Sequence, residues 1–556
     1  MNILKLIDLK VLEGRNIKGD GRLIYINIGE SERKRLYWLI NDYEFICRQM
    51  NIEGNLREVI YNEFGGEAWL TYLHKELSVF IIESLVSGMS ADDLLNEAVS
   101  KREELWEYEL IYKCNKEDID FFKVKNNSVV IGYGVNSKVI TKKDFEEENY
   151  DLTLKDYGDI PIVSITGTNG KTSTSKLIYN TFKNLGYFTG LASTGAIIIN
   201  DEVIKKGDTT GFYSAKSVLT NPDVEVGVLE TARGGILRKG LGFKRSKVAI
   251  ITSLTEDHIG SEGINTLEDL MDIKLITVRE VVPDGKVVIK SDNNLYDILQ
   301  TKDNLVLFNS ERNECIERHI ANGKEAWYVK DNDIVWFNGE EEVKVAPINE
   351  FKFTHGGKSK ANINNVISTL IAVFAIHNNL KEVVNALKVI ECDVNTNLGR
   401  QNILNIGKFD MLLDYGHNPE AFSEVYFLAQ SLKKRKIISI ISSPGDRLDD
   451  YIKELGRITG QNSDLVIIKE TFDRRGRSPL EITNLLCAGI KEVNDKVECL
   501  SIIDEKEAVK KALLSAKEGD LIVNFSQHLD VIIPVINDYL KSLGKETIDV
   551  DLEGFH

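Results

Sequence analysis

The residues best suited to chemistry lie in the stretch GTNGKT, residues 167–172. Gly167 and Gly170 let the backbone turn tightly, so that its N–H groups face an anion. Lys171 adds a positive charge for the β- and γ-phosphates of a nucleotide, and Thr172 adds a hydroxyl for Mg²⁺. The general phosphate loop has another glycine where this chain has Ile165, so the match is to a shorter variant. The pattern predicts nucleotide binding.

Local elements must position this loop. The apolar run IPIVSIT precedes it and predicts a buried strand, and an amphipathic helix follows and ends near Gly186. The positive N-terminal end of that helix would lie behind the phosphates. A motor, a kinase and a ligase could all carry such a loop, so the loop alone names no reaction.

Polar side chains also follow two neighbouring predicted strands. VEVGVLE ends at Glu230, and KVAIITSL leads into TEDH, which ends at His258. Open α/β sheets bind ligands at the carboxyl ends of parallel strands. Taken alone, Glu230 could accept backbone N–H groups at a helix start, and His258 could be an ordinary loop histidine. The nearby phosphate loop favours metal binding by both.

Further candidates lie downstream. They are Lys274, on a helix that a capping-box pattern opens at Thr266; Asn362 and Asn365 in ANINNVISTL; Arg400 after a glycine; and Asp414 and His417 in DYGHNP. Lys274 could instead be a solvated lysine, and Arg400 could cap a strand. Two basic stretches remain open between substrate contact and structural ion pairs: Arg233 with Arg238, and DRRGR at 473–477.

Composition limits the function classes. The chain has 556 residues, of which 42% are apolar and 28% charged, with a net charge of −17. Such acidity argues against broad nucleic-acid binding, and no apolar run is long enough to span a bilayer. Six scattered cysteines and an N-terminus without a signal-peptide pattern favour a reducing compartment. We predict a cytoplasmic protein without nucleic-acid or membrane partners; the sequence leaves a homo-oligomer open.

The pattern of elements predicts an α/β protein in three domains. Residues 1–155 mix short strands with helical pieces such as Glu67–Val86 and end in a charged linker, giving a smaller α+β domain for substrate or acceptor docking. Buried strands alternate with helices in 156–393, a parallel-sheet ATP-binding domain, and again in 394–556, a Rossmann-like domain.

The order of these motifs resembles the Mur ligase superfamily, which includes the cell-wall amino-acid ligases and folylpolyglutamate synthases. LETARGGILRKGLGF, PGDRLDDYIKELGRI and KETFDRRGR look most like the Mur-ligase-like half of cyanophycin synthetases, over roughly residues 160–525. Those enzymes carry an ATP-grasp module ahead of that half, and this sequence lacks it there. FSQHLD (525–530) departs from their lysine-containing segment, which leaves the incoming amine open.

The resemblance implies a role for each matching residue. The loop residues, with Thr168, Asn169 and Ser173, would hold ATP and one Mg²⁺, and Glu230 and His258 would bind a second Mg²⁺. Lys274 occupies the position of a carbamylated lysine in many Mur ligases. Asn362 would contact the adenine side, and Arg400, Asp414 and His417 would close over the nucleotide.

The implied activity is an ATP-dependent ligase that activates a carboxylate as an acyl-phosphate and couples it to an amino acid amine. An acidic carboxylate acceptor and an amino acid donor would be its partners. The alternatives are a folylpolyglutamate- or polyglutamate-type ligase and a catalytically silent nucleotide-binding protein. A motor or transporter ATPase is disfavoured, because no apolar strand ends in a Walker B aspartate.

Overall fold

The computed structural model describes residues 4–19, 21–124, 127–147, 157–255, 264–470, 474–550 and 552. The predicted metal ligand His258 and Asp473 of DRRGR lie outside these ranges. Every helix within them is too short or too polar to cross a lipid bilayer. All six cysteines are free, although the Sγ atoms of Cys487 and Cys499 lie 3.0 Å apart.

The N-terminal region joins two small antiparallel sheets to helices. Its elements are β1 Leu6–Leu12, β2 Leu23–Gly29, α1 Arg33–Gln49, β3 Leu56–Asn62, β4 Gly65–Thr71, α2 Lys75–Val86, α3 Ala91–Glu104, α4 Tyr108–Lys116, β5 Phe121–Val124, β6 Ser128–Ile131, β7 Lys138–Ile140 and α5 Lys142–Glu147. The sheet orders are β1-β2-β4-β3 and β5-β6-β7. The predicted smaller α+β fold is confirmed.

One local prediction for this region was wrong, and another gains detail. Residues 67–71 lie in strand β4 and not in a helix, because β4 hydrogen-bonds to β2 and β3 on its two sides and helix α2 starts only at Lys75. The linker predicted from its charge begins as helix α5, in which Lys142 and Lys143 pair with Glu146 and Glu147 one turn later.

The central region is built on a ten-stranded sheet. Its elements are β8 Ile162–Thr166, α6 Lys171–Asn184, β9 Thr189–Ile199, β10 Glu202–Asp208, α7 Phe212–Leu219, β11 Val226–Glu230, α8 Arg233–Lys239, β12 Ser246–Ile251, α9 Leu267–Arg279, β13 Val281–Lys290, α10 Asn293–Leu299, β14 Leu305–Asn309, α11 Glu314–Ala321, β15 Ala326–Lys330, β16 Asp333–Phe337, β17 Glu342–Pro347, α12 Lys360–His377, α13 Leu380–Lys388 and α14 Val394–Asn397. The strand order is β10-β9-β11-β8-β12-β13-β14-β15-β16-β17.

The middle of this sheet is parallel and buried, as predicted. Strand β8, whose five residues are all buried, lies between β11 and β12 and carries the phosphate loop at its carboxyl end. Helices α6 and α12 pack together over the sheet through side chains such as Phe182 and Val366. The Thr266–Asp269 capping box opens α9, and Gly186 with φ +91° follows the end of α6.

The C-terminal region has a six-stranded sheet of order β18-β19-β23-β20-β21-β22. Its elements are β18 Asn402–Asn405, β19 Asp410–Asp414, α15 Pro419–Leu432, β20 Ile437–Ile441, α16 Asp449–Asn462, β21 Leu465–Ile468, α17 Glu481–Val493, β22 Glu498–Ser501, α18 Glu505–Ser515, β23 Leu521–Phe525 and α19 Leu529–Ser542. All pairs except β18–β19 are parallel, and apolar clusters cover both faces. The predicted Rossmann-like α/β fold is confirmed.

Candidate active site

The phosphate loop is held in a conformation that only glycine tolerates at two positions. Gly167 has φ +148°, and a Cβ there would lie 2.1 Å from the Thr252 Oγ1 atom on the neighbouring strand end. Gly170 has φ +84° and directly precedes α6. The Lys171 Nζ atom donates to the carbonyls of Gly167 and Thr168 at 3.0 and 2.8 Å. The sequence therefore forms a tight loop with its ammonium group held over it.

Glu230, at the end of β11, is buried beside the start of α6. Its carboxylate accepts hydrogen bonds from Thr172 Oγ1 at 3.2 Å, Thr194 N at 2.9 Å, Thr194 Oγ1 at 3.1 Å and Ser193 Oγ. Three of these four donors are hydroxyls. Oxygen ligands of this kind suit Mg²⁺, and a hydroxyl of the phosphate loop is among them, so the residues present fit the ion.

A complete second metal site is not seen within the described ranges. No group of three His, Cys, Asp or Glu side chains placed to hold a metal occurs there. His258, the predicted partner of Glu230, lies outside those ranges. Glu230 is therefore in place near the loop, and the second site stays a prediction.

Helix α12 supplies the asparagines on the other side of the loop. Asn365 Oδ1 accepts from Thr174 Oγ1 at 3.1 Å, and a Cβ on Gly170 would lie 2.9 Å from it. Asn365 Nδ2 donates to Asn362 Oδ1 at 3.2 Å. Asn365 thus positions Asn362. The Asn362 Nδ2 atom in turn donates to the Cys392 Sγ atom at 3.5 Å.

Arg400 and Asp414 lie at the start of the C-terminal region. The Arg400 guanidinium stacks on the Tyr415 ring with its carbon 4.1 Å from the centroid. Asp414, buried at the end of β19, accepts from the backbone N–H groups of Gln401 at 2.9 Å and Gly416 at 2.6 Å. Burial raises the pKa of Asp414, and nearby Arg400 opposes the shift. The carboxylate therefore bonds both to the segment that carries Arg400 and to the segment that carries Tyr415.

The first turn of α15 contacts the phosphate loop directly. Asn169 and Asn418 exchange side-chain hydrogen bonds at 3.1 and 2.8 Å. Glu420 accepts from Asn169 Nδ2 at 2.7 Å, from Thr255 Oγ1 at 3.3 Å and from Lys290 Nζ at 3.2 Å. The C-terminal region is therefore closed onto the loop through side chains.

These groups border one cavity of about 420 Å³ between the two large sheets. We call it the first cavity. Its lining includes Thr168, Asn169, Gly170, Lys171, Thr172, Ser173, Glu230, Asn362, Arg400, Asp414 and His417. These eleven predicted residues, from five separate parts of the chain, thus come together.

Lys274 differs from these residues. Its side chain on α9 is buried, with 4% exposed, which excludes the solvated lysine considered above. It does not line the part of the first cavity that the structure describes. Its carbamylation stays a prediction.

Several lining residues were missed from sequence. Lys290 ends parallel strand β13 and Thr252 follows β12, so the strand-end rule that identified Glu230 could have found both. Glu420 lies one residue beyond DYGHNP. Asp208 ends antiparallel β10, where that rule does not apply.

The basic stretch RRGR at 474–477 is used within the C-terminal region. Arg474 pairs with Glu470 at 2.9 Å and Arg475 with Asp446 at 2.7 Å. Arg477 pairs with Glu481 at 2.6 Å. These contacts favour domain packing over substrate contact.

Comparison with known proteins adds to this geometry. Residues 165–373 match the Mur ligase middle domain, and residues 399–528 match the glutamate ligase domain of Mur ligases. The chain belongs to the Mur ligase family. This Mur ligase is 33% identical over 395 residues to a cyanophycin synthetase of Nostoc sp., covering 70% of this chain and 44% of that enzyme. It therefore spans less than half the length of the cyanophycin synthetases it matches.

Two further relatives of this Mur ligase are more distant. It is 26% identical over 430 residues to UDP-N-acetylmuramyl-tripeptide synthetase of Borreliella burgdorferi, covering 74% of this chain and 78% of that protein. A solved structure of E. coli FolC in complex with DHPP and ADP aligns with a TM-score of 0.49 and 15% identity, covering 69% of this chain and 88% of that one.

Proposed function

We propose that the chain is an ATP-dependent ligase that activates a carboxylate as an acyl-phosphate and couples it to the amine of an amino acid, releasing ADP and phosphate. The first cavity supports this most directly. It combines a phosphate loop, a buried carboxylate among hydroxyls, and an arginine from the C-terminal region. Attack of a carboxylate on the γ-phosphate brings two anions together, and these groups can balance that charge.

Different residues of the first cavity would bind the triphosphate and the Mg²⁺ ion. The loop residues Gly167–Ser173 would bind the triphosphate through backbone N–H groups, with Lys171 at its outer phosphates. Thr172 and Glu230 would hold Mg²⁺, which, when bound, neutralises phosphate charge. Arg400 would approach from the opposite wall.

Closure by α15 would protect the reaction. An acyl-phosphate is hydrolysed by water, so the site must exclude water before the amine attacks. The hydrogen bonds from Asn169 to Asn418 and Glu420 bring α15 against the loop. Asp414 and His417 would contact the nucleotide from the same side, and Asn362 would contact the adenine.

The deciding experiment measures ADP release over a panel of amino acids and short acidic peptides, with the mass of each product. A product heavier than the acceptor by one amino acid residue supports the ligase. A glutamate-chain product would support the polyglutamate-type alternative. ATP binding without ADP release from any pair would support the catalytically silent alternative.

A second arm tests the number of bonds made. The chain has one phosphate loop, so we propose that it adds an amino acid to a pre-made acidic acceptor and builds no polymer from free aspartate and arginine. Incubation with ATP, Mg²⁺ and both amino acids, without acceptor, should give no growing chain. A long insoluble product would contradict this.

We propose that the buried Lys274 amine carries a carbamate, as the resemblance to many Mur ligases implies. ¹³C NMR after equilibration with ¹³C-bicarbonate should then show a carbamate resonance. Lys274→Arg, which cannot form one, should lack it. Identical spectra would refute the modification.

A further inference from the structure

A second cavity of about 550 Å³ lies between the N-terminal region and the central region. Arg22, Asp120 and Phe121 border it from the N-terminal side, and Phe212 and Lys216 of α7 border it from the central side. We call it the second cavity. None of its residues lines the first cavity.

Backbone hydrogen bonds form part of the junction between the two regions. Gly14 N donates to Lys239 O at 3.0 Å, and Leu241 N donates to Arg15 O at 2.8 Å. A Cβ on Gly14 would lie 1.9 Å from the Leu241 carbonyl oxygen, and one on Gly240 would lie 2.4 Å from that of Gly14. The two backbone segments therefore lie too close together for any side chain at residues 14 and 240, and they bound the second cavity at this point.

Most cations around the second cavity already have carboxylate partners. Lys75 pairs with Glu13 at 3.0 Å, and Lys123 pairs with Glu107 at 2.6 Å. Lys244 pairs with Asp118. These charges are balanced within the wall.

Arg22 and Lys216 differ. Arg22 stacks on the Phe121 ring with its guanidinium carbon 4.1 Å from the centroid, and Lys216 donates to the Lys123 carbonyl and lies 5.5 Å from the Phe122 centroid. Among the residues that the structure describes, neither cation forms an ion pair with a carboxylate, although the positive charge of Arg22 acts on Glu53 and Asp120. Burial lowers the pKa of Lys216, and the negative charges of Glu13 and Glu76 oppose that shift. Two donors for an anion therefore face this space.

One carboxylate complements them. The Asp120 Oδ2 atom is buried and accepts no hydrogen bond from any residue in the described ranges. Burial raises the pKa of Asp120 to about 6, against the nearby positive charges of Lys244 and Arg22. Glu53, a second carboxylate of the lining, accepts a long 3.5 Å hydrogen bond from Asn115 Nδ2. A buried acceptor without a donor is costly unless a ligand or water supplies one.

We propose that the second cavity binds a short peptide carrying both carboxylates and a free amino group, with Arg22 and Lys216 pairing with its carboxylates and Asp120 receiving its amine. The aromatic side chains between them cover its apolar atoms. The volume is that of a site for a ligand of a few residues. This rests on the proposed function, in which such a peptide is the acceptor.

Two helices connect this site to the first cavity. Thr210 lines the first cavity, and α7, which starts two residues later, lines the second with Phe212 and Lys216. Helix α8 follows Ala232 of the first cavity and ends at Lys239 in the backbone junction. A Cβ on Gly235 would lie 3.0 Å from Gly211 Cα, so the two helices touch without side chains between them. A peptide held in the second cavity therefore lies one helix away from the phosphate loop.

Calorimetric titration of the full chain with tri-aspartate tests this without turnover. Arg22→Gln and Lys216→Gln should each weaken tri-aspartate binding about tenfold or more, because each removes a charged hydrogen-bond donor. ATP affinity should not change. Lys34→Gln, at an exposed position on α1, is the matched control and should bind like the wild type.

The amine is tested separately. N-acetylated tri-aspartate should bind the wild-type protein about tenfold more weakly than the free peptide, and Asp120→Asn should bind the two peptides alike. If circular dichroism shows that Arg22→Gln does not fold, the tri-aspartate affinity of Lys216→Gln alone tests the site. Unchanged affinity in the folded variants, or no binding to the wild type at millimolar peptide, overturns the site.

Failure of this site and failure of the ligase are distinguishable. If the folded variants release ADP with an unchanged KM for acceptor, the second cavity is not the acceptor site, and the ligase stands. If tri-aspartate binds as expected but no amino acid yields ADP, the site stands and the ligase does not.

Discussion

In the first cavity, charged and polar side chains from distant parts of the chain bond to one another across its walls, as Asn169, Lys290 and Glu420 do. In the second cavity, Lys216 donates to the Lys123 carbonyl and Arg22 stacks on Phe121, whereas Asp120 Oδ2 accepts no hydrogen bond within the described ranges. Side chains join the walls of the first cavity, whereas backbone hydrogen bonds, together with ion pairs such as Lys244–Asp118, join the walls of the second. Nucleotide chemistry is common to many substrates, whereas an acceptor must be told apart from others. The difference suggests that ligand selection resides in the second cavity.

The largest effect on turnover is expected at Lys171. Lys171→Ala removes the charge over the phosphate loop and should lower the ADP-release rate by about 10²–10³-fold, on the order of 3–4 kcal/mol in the transition state. Tri-aspartate affinity should be unchanged, because the residue lies in the other cavity. Lys183→Ala, at the far end of the same helix, pairs only with exposed Asp201 and is the control. Full activity in folded Lys171→Ala would remove the basis of the ligase proposal.

A smaller effect is expected at Glu230. Glu230→Gln replaces a buried carboxylate by a neutral amide and should raise the Mg²⁺ concentration for half-maximal rate about 10- to 100-fold. The measurement is an Mg²⁺ titration of ADP release at saturating ATP. The control is Glu202→Gln, at the exposed start of β10, which should show the same Mg²⁺ dependence as the wild type. Equal Mg²⁺ dependence in both variants would place the metal elsewhere.

The contact of α15 with the phosphate loop gives a third test, with a smaller expected effect. Glu420→Gln removes the charge that accepts from Asn169, Thr255 and Lys290, and should raise the KM for ATP about tenfold. Acceptor binding should not respond. Glu498→Gln, on exposed β22, is the control. If acceptor affinity fell as much as ATP affinity, the two cavities would not be independent.

Glu107, behind the second cavity, is expected to have the smallest effect on turnover. Its effect should appear in the pH dependence of stability. Its hydrogen bonds with His74 and Lys123 outweigh burial and lower its pKa from 4.5 to about 2. Its ionised form therefore stabilises the fold above about pH 4.5, and this contribution is lost as pH falls toward 2. Urea unfolding between these pH values should show a flatter pH dependence for Glu107→Gln than for the wild type. Parallel curves would show that the His74 and Lys123 contacts do not matter.

The two cavities also differ in what the sequence could predict. The phosphate loop, Glu230 and Asp414 occur at the ends of apolar strands or in short distinctive motifs, so local spacing identified them. Lys290 obeys the same rule. Arg22, Asp120 and Lys216 come from three segments without a motif, and only the packing of the N-terminal region on α7 brings them together. Strand β4 was missed although it forms a hairpin with the preceding strand β3, because its other partner, β2, is distant in sequence.

The glycine contacts between residues 14–15 and 239–241 have a consequence for how such an enzyme can evolve. A junction made of backbone does not depend on which side chains surround it, provided that residues 14 and 240 stay glycine. Residues such as Arg22 or Asp120 can therefore be exchanged by mutation while these backbone contacts stay in place. Descendants of one ancestral gene could acquire new acceptors by drift at these positions while inheriting the same ATP machinery.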